Sequence, residues 1–343
     1  MHTALDIQSF LQQSNLNGPV FDVRSPSEFA QGHIPGAFNL ILFNDEERAQ
    51  IGTLYKQKNR QEAVLRGLEI VAPKLTRLIS EAEKNVQGKE IYIHCWRGGM
   101  RSGFVAQLLD MYGFKVYTLK GGYKTFRNFV LNGFSLPYKF YILGGKTGSG
   151  KTFILEKLRE KKEQIINLEF IANHKGSAFG ALGQAPQPSQ EQFENILFTE
   201  LFFMNKEKPI WLEDESKSIG KNMIPNPIRE AIRSSKVFFL DIPFEERLNH
   251  ILNEYGKFDK QDLKNSILKI TKRLGGEQTK IAIDAIDAND FKTAFDYCLR
   301  YYDKTYTFGL ESRVNPDVLK IEIEKFSIDY CTEILLQKVN ELK

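Results

Sequence analysis

The sequence predicts an α/β protein of two domains. Its 343 residues are about twice the usual domain length. Short apolar runs of strand length recur at 91–93, 115–119, 139–143, 209–212 and 237–240. The first three each run into glycines and then into helical periodicity. Gly, Ser and Pro gather at 133–137, so the domains are read as 1–136 and 137–343. The second is expected to be a doubly wound parallel sheet, because its strands and helices alternate. From Arg247 onward its C-terminal part reads as helical.

Composition narrows the class. Hydrophobic content of 42% and charged content of 26% are ordinary for a globular chain. A net charge of +4 permits a nucleic-acid partner without demanding one. The 3 cysteines, Cys95, Cys298 and Cys331, lie far apart and form neither a disulfide framework nor a zinc spacing. The N-terminus has no apolar signal core and no apolar run is long enough to span a bilayer, so a cytoplasmic protein with no membrane partner is expected.

Taken in order, Leu5, Ile7, Phe10 and Leu11 suggest a first helix. A strand follows at 19–23, then Arg24-Ser25-Pro26-Ser27-Glu28, where Ser25 or Ser27 can cap a helix that Pro26 helps to open. Gly32-His33-Ile34-Pro35-Gly36 is a turn, with His33 a hydrogen-bonder that fixes it. Residues 45–85 are charged and periodically apolar, hence mostly helical. The strand at 91–93 ends at Cys95, and Trp96-Arg97-Gly98-Gly99-Met100-Arg101-Ser102 leads into a helix. Such a loop turns its backbone N–H groups toward an anion and favours the attacking, thiolate form of a cysteine. A lone strand-end cysteine would read as an inert core thiol. The paired glycines and the arginines Arg97 and Arg101 point instead to a site in which Cys95, Arg97 and Arg101 act. Gly98, Gly99 and Met100 complete its anion cradle. The turn Gly121-Gly122, at another strand end, can shape the same pocket.

The second domain opens with a strand that runs into Gly144-Gly145-Lys146-Thr147-Gly148-Ser149-Gly150-Lys151-Thr152 and a helix. This is the phosphate loop G-x4-G-K-T in its proper context. Gly145, Thr147, Gly148, Ser149 and Gly150 wrap a di- or triphosphate, Lys151 bridges its oxygens and Thr152 can hold Mg²⁺. The strand at 209–212 ends in Glu213-Asp214-Glu215, from which a carboxylate usually faces the metal. Glu213 comes first after the strand and Asp214 is the residue type such sites use, so which of the three carboxylates serves is open, with Thr152 and Asp214 named as the metal pair. The polar loop 173–191 holds His174, Lys175, Gly176 and Ser177 and is read as contacting substrate. Leu263, Ile267, Ile270 and Leu274 mark an amphipathic helix flanked by Lys269, Lys272 and Arg273, a candidate polyanion face. Cys298 and Cys331 are expected in the core.

These strings carry a resemblance. The run Asp22-Val23-Arg24-Ser25-Pro26-Ser27-Glu28-Phe29, with Gly32 to Ala37, is similar to the N-terminal signature of the rhodanese fold. The Cys95 loop resembles the active-site loop of rhodanese-type sulfurtransferases. Its Cys-x5-Arg spacing is one residue longer and equals that of rhodanese-like phosphatases. A rhodanese-like domain joined to a P-loop domain, with Asn173-His174-Lys175-Gly176-Ser177-Ala178-Phe179-Gly180, Glu213-Asp214-Glu215-Ser216-Lys217-Ser218-Ile219-Gly220 and Tyr301-Tyr302-Asp303, looks like the bacterial tRNA 2-selenouridine synthase family.

The resemblance implies a two-step transferase with no tightly bound cofactor. A geranyl group would pass from geranyl diphosphate to the sulfur of a wobble 2-thiouridine in a tRNA anticodon stem-loop. Selenium from selenophosphate would then replace the S-geranyl group. The P-loop would take the prenyl diphosphate, and Cys95 would accept selenium as a selenosulfide with the donor held by Arg97, Arg101 and the loop amides. A selenophosphate-producing enzyme is an implied partner. The competing reading is a Cys-x5-Arg phosphatase or sulfurtransferase fused to a P-loop kinase-like domain.

Overall fold

The computed structural model describes residues 2–313 and 317–342. They form two compact units, residues 1–133 with 194–199, and residues 134–193 with 200–343. The first unit thus ends three residues before the expected boundary and takes in part of the helix Gln190–Phe203.

The first unit is built on strands β1 (Thr3–Leu5), β2 (Val20–Asp22), β3 (Phe38–Asn39), β4 (Glu90–His94) and β5 (Lys115–Leu119). They pair in the order β1-β5-β4-β2-β3, all parallel. Leu5, expected in the first helix, closes β1 instead, and the helix starts at Ile7 with Asp6 accepting from the Ser9 N–H. β4 is buried at every residue but its first, as a central parallel strand must be. Residues 45–85 are helical as expected, in the helices Asp45–Gln57, Arg60–Val71 and Leu75–Glu83 and the short 3₁₀ turn Ala72–Lys74. Below the C-terminal edge lies a buried pair: Arg24 donates to both carboxylate oxygens of Asp22 and to the Gly32 carbonyl. Both side chains are out of solvent, so each charge depends on the other. His33 stacks on Phe29 and donates from Nδ1 to its carbonyl at 2.9 Å, a turn-fixing role.

The second unit carries β6 (Phe140–Gly144), β7 (Gln164–Ile165), β8 (Ile210–Glu213), a two-strand antiparallel ribbon of β9 (Ser218–Ile219) and β10 (Asn222–Met223), then β11 (Lys236–Asp241) and β12 (Val318–Glu322). The main sheet runs β12-β11-β6-β8-β7, all parallel. β12 is a departure from the helical C-terminal reading. Its register pairs Phe238 with Leu319 and Leu240 with Ile321, and Ile321 is buried while Lys320 and Glu322 are exposed. The remainder after Arg247 is helical, with a core of Leu248, Leu263, Ile267, Phe295 and Leu299. The expected amphipathic helix through Leu274 is broken: Lys260–Leu268 ends before Lys269, and a single turn, Thr271–Leu274, follows. Parallel pairing puts the C-terminal ends of all main strands of a sheet at one edge, where ligand sites of this architecture form.

Candidate functional sites

In the first unit, β4 delivers Cys95 to the sheet edge and the helix Met100–Tyr112 starts four residues after the loop begins. Cys95 is buried, with its sulfur 3.2 Å from the Ser102 hydroxyl oxygen, which lies 3.2 Å from the Gly99 carbonyl as donor. The Gly121-Gly122 turn after β5 packs against this loop. The Tyr123 N–H donates to the Cys95 carbonyl at 2.8 Å and the Lys124 N–H to the Trp96 carbonyl at 3.0 Å. A Cβ on Gly122 would lie 2.3 Å from that Cys95 oxygen and 2.4 Å from the Gly98 nitrogen, so only glycine fits. Trp96, Arg97, Gly98, Gly99 and Met100 face solvent.

Arg101 is less exposed and lies close enough to Cys95 to feel the charge of its thiolate. Its guanidinium donates to Glu28 at 2.8 and 3.4 Å, and Glu28 also accepts the Ser25 N–H. Burial works against the Glu28 charge, but Arg101 holds its carboxyl below the usual range. Arg101, expected on the donor anion, is therefore a brace between the helix Met100–Tyr112 and the helix Pro26–Gln31. Arg97, two residues after Cys95, is exposed.

In the second unit the phosphate loop joins β6 to the helix Lys151–Glu160. Gly148 and Gly150 take positive φ, which closes the loop. Lys151 folds back so that Nζ donates to the Gly145 carbonyl at 2.8 Å. Behind the loop, Arg247 is buried and donates to the Thr147 carbonyl and to both oxygens of Asp303. A cavity of about 440 Å³ opens in front of it. It is lined by the phosphate loop from Thr147 to Thr152, by Glu169, Glu213 and Glu215, and by the apolar and aromatic side chains of Phe179, Ile251, Tyr255, Phe295 and Leu299. Cys298, expected in the core, is buried and also lines this cavity, and burial pushes its thiol up to about 12. Cys331 is core alone.

The three expected carboxylates separate. Asp214 turns away from Thr152: its carboxylate takes Arg313 at 2.5 Å and the Tyr306 hydroxyl at 2.9 Å. The expected Thr152–Asp214 metal pair is therefore not assembled. Thr152 donates instead to Glu169 at 2.8 Å, and Glu213 accepts the Glu169 N–H at 3.0 Å. The second oxygen of Glu213 is buried without a partner. Burial, then the neighbouring Glu169 charge, push Glu213 up to about 8, and the same two causes raise Glu215 well above its ordinary value. Among the described residues no three acidic, His or Cys side chains form a metal cluster by themselves. The Thr152 hydroxyl with Glu169 and Glu213 does offer hard oxygen donors, which suit Mg²⁺ when phosphate oxygens and water complete its shell.

The loop after Asn173 closes over these acids. Gly176 takes a positive φ, and a Cβ there would come within 3.0 Å of Glu215. Ala178 donates its N–H to the Tyr302 hydroxyl at 2.9 Å. Lys175 is ion-paired to Glu254, so it is not free for an external anion. His174 is half-buried, its imidazole pushed down by burial and by the charge of Lys269. Loop and basic segment thus meet at one place, and Arg273, with Lys175, Gly176 and Ser177, lines the cavity.

The sequence reading quoted Tyr301-Tyr302-Asp303 for its resemblance alone, gave it no structural role and left out Tyr306. The helix Phe291–Glu311 sends Tyr302 to the loop, Asp303 to Arg247, and Tyr306 to both Asp214 and the Gly145 N–H at 3.0 Å. The spacing of 302 and 306 is one helical turn, a signal present in the sequence. Glu169 had none, since only the fold brings its short helix, Leu168–Ala172, to Thr152 of the phosphate loop.

Residues 138–330 match the family model described as tRNA 2-selenouridine synthase AAA domain, and residues 4–129 match the Rhodanese-like domain. The tRNA 2-selenouridine synthase of Hydrogenovibrio crunogenus is 35% identical over 331 residues, covering 87% of this chain and 90% of that protein. That of Shewanella frigidimarina is 34% identical over 333 residues, again 87% and 90%. That of Sulfurovum sp. is 32% identical over 352 residues, covering 92% and 95%.

Proposed function

The chain belongs to the tRNA 2-selenouridine synthase family, and from that premise we propose that it geranylates a wobble 2-thiouridine of tRNA and then exchanges the S-geranyl group for selenium. The observation that carries the first step is a cavity lined both by the phosphate loop and by apolar and aromatic side chains, Phe179, Tyr255, Phe295 and Leu299 among them. Such a cavity suits a ligand with a diphosphate head and a hydrocarbon tail better than it suits a nucleotide. Burying the tail removes apolar surface from water at about 25 cal/mol per Å².

In this reading the thiouridine sulfur attacks C1 of geranyl diphosphate. The C–O bond breaks, diphosphate leaves and the N3 proton of the base is lost. Lys151 moves from the Gly145 carbonyl to the diphosphate, where charge develops as the bond breaks. Mg²⁺, held through Thr152, Glu169 and Glu213, would add charge neutralisation on the leaving group. Arg247 and Asp303 keep the phosphate loop in place by fixing Thr147.

The second step belongs to Cys95. Selenophosphate, supplied by a selenophosphate-producing enzyme, lies in the cradle of loop amides beside Cys95 and Arg97. Its selenium adds to C2 of the base, the C2–S bond breaks and geranylthiol leaves with a proton, and water then cleaves the P–Se bond to release phosphate and leave the selenium on C2. Among the described residues no helix is long and apolar enough to cross a membrane, and the substrates named here are those of a cytoplasmic enzyme. Mass analysis of nucleosides from thiolated tRNA incubated with the protein, geranyl diphosphate and selenophosphate tests the reading. S-geranyl-2-thiouridine and then 2-selenouridine are expected; neither product would end it.

A further inference from the structure

The loop that presents Cys95 also exposes an aromatic ring that neither the phosphate-loop chemistry nor the anion cradle uses. Of the 2 tryptophans in the chain, Trp211 is fully buried in the second unit's sheet. Trp96 directly follows Cys95 and is 38% exposed. Consecutive Cα atoms are about 3.8 Å apart, so whatever lies on this indole is next to the thiol's own backbone.

The ring is fixed from beneath. Its carbonyl accepts the Lys124 N–H. Tyr123 packs at 5.8 Å between centroids, tilted 39°. The Arg24 guanidinium sits 3.8 Å from the Tyr123 centroid and 6.0 Å from the Trp96 centroid, and Arg24 is itself held by Asp22. Holding the ring rigid in this way means that little side-chain entropy remains to be lost when a ligand stacks on it. The rim is cationic and soft. Arg97 is exposed, and Met100, 51% exposed, has its sulfur 3.8 Å from the Arg60 guanidinium. A half-open aromatic held from beneath, with the exposed Arg97 next to it in the chain and Arg60 on the neighbouring Met100, is the chemistry that takes a single-stranded nucleobase and its phosphates.

We propose that Trp96 is a stacking platform that receives an unpaired pyrimidine of the tRNA anticodon loop and holds it against the Cys95 loop. The proposal rests on the tRNA reading above and assigns the step at Cys95 its base-recognition group. The base stacks on the free face of the indole, Arg97 and Arg60 take flanking phosphates, and the base's C2 is kept beside the selenium donor in the Cys95 loop. Geranylation, in the other unit, does not depend on this ring.

The test uses the full chain and a single-stranded anticodon-loop RNA containing 2-thiouridine. Acrylamide-accessible tryptophan emission reports Trp96, because Trp211 is buried. The RNA is expected to quench that component and shield it from acrylamide, and Trp96→Phe should remove the response while still binding RNA. On pre-geranylated tRNA, Trp96→Ala should lower selenation about 10- to 100-fold, mainly through KM, with Trp96→Phe close to wild type and geranylation unchanged. RNA that binds while Trp96 stays equally quenchable, or Trp96→Ala selenating at the wild-type KM, overturns the platform and leaves the tRNA reading standing. Shielding of Trp96 in a protein that forms no selenouridine supports the platform and removes the reaction. No RNA binding at all overturns both.

Discussion

Gly122→Ala places one methyl group where the two loops of the cysteine site meet. Its Cβ would stand 2.3 Å from the Cys95 carbonyl oxygen, 2.4 Å from the Gly98 nitrogen and 2.9 Å from the Arg97 carbonyl carbon. Ordinary contact begins near 3.4 Å, so the Cys95 loop must retreat by about 1 Å. Alanine also resists the φ of +62° at this position, at about 1–2 kcal/mol. Overpacking between two backbone segments adds about 1–3 kcal/mol. Misplacing a reacting group by about 1 Å costs on the order of 10²-fold in rate. Selenation of pre-geranylated tRNA should therefore fall about 100-fold, while geranylation, carried by the other unit, stays within about twofold. Gly88→Ala, with open space around its Cβ, should change neither rate. Single-turnover assays of the two half-reactions, with thermal melts of both variants, read this out. Gly122→Ala selenating within about threefold of wild type would refute the claim that the Gly121-Gly122 turn sets the position of Cys95.

Further consequences concern the second unit. Lys151→Ala should slow geranylation about 10²–10³-fold and leave selenation of pre-geranylated tRNA near wild type, as measured in the same half-reaction assays. Equal loss in both would contradict the division of labour. Lys269, Lys272 and Arg273 changed together to Glu should weaken tRNA binding and reduce the slope of log K against log salt by about 2–3, read from titrations at several salt concentrations. An unchanged slope would remove this basic segment from the tRNA path. Glu200, in the helix Gln190–Phe203, has its carboxyl pushed up to about 7 by burial. The folded state therefore holds this proton more tightly than the unfolded chain. The associated stability is fully present below about 4.5 and is lost as pH rises through about 7. Glu200→Gln should stabilise the protein by up to about 3 kcal/mol at pH 8 and by almost nothing at pH 4, measured by urea denaturation.

Much of this site could be read from the chain because its parts are local. The cysteine loop and the phosphate loop each consist of a strand, glycines and a helix start within about a dozen residues, and each folds where the pattern placed it. Long-range pairings could not be read in the same way. Arg101 has the spacing of an anion ligand, yet Glu28, 73 residues earlier, takes its charge. Asp214 has the residue type of a metal ligand, yet Arg313 and Tyr306, brought from the C-terminal region, occupy both its oxygens. β12 was hidden because five residues of edge strand lie inside a helical region, and their alternation is too short to outweigh their surroundings. The break at Lys269 likewise has no proline or glycine to announce it. It lets Ile270 reach the core while Arg273 lines the cavity.

The central claim is that one chain performs two transfers, with the phosphate-loop cavity serving the first and Cys95 the second. Cys95→Ser tests it most directly, with thiolated tRNA, geranyl diphosphate and selenophosphate all present and the nucleosides analysed by mass. The account predicts that S-geranyl-2-thiouridine forms at the wild-type rate and accumulates, with no 2-selenouridine. Selenouridine appearing at the wild-type rate, or the loss of the geranylated nucleoside in a folded variant, would contradict it.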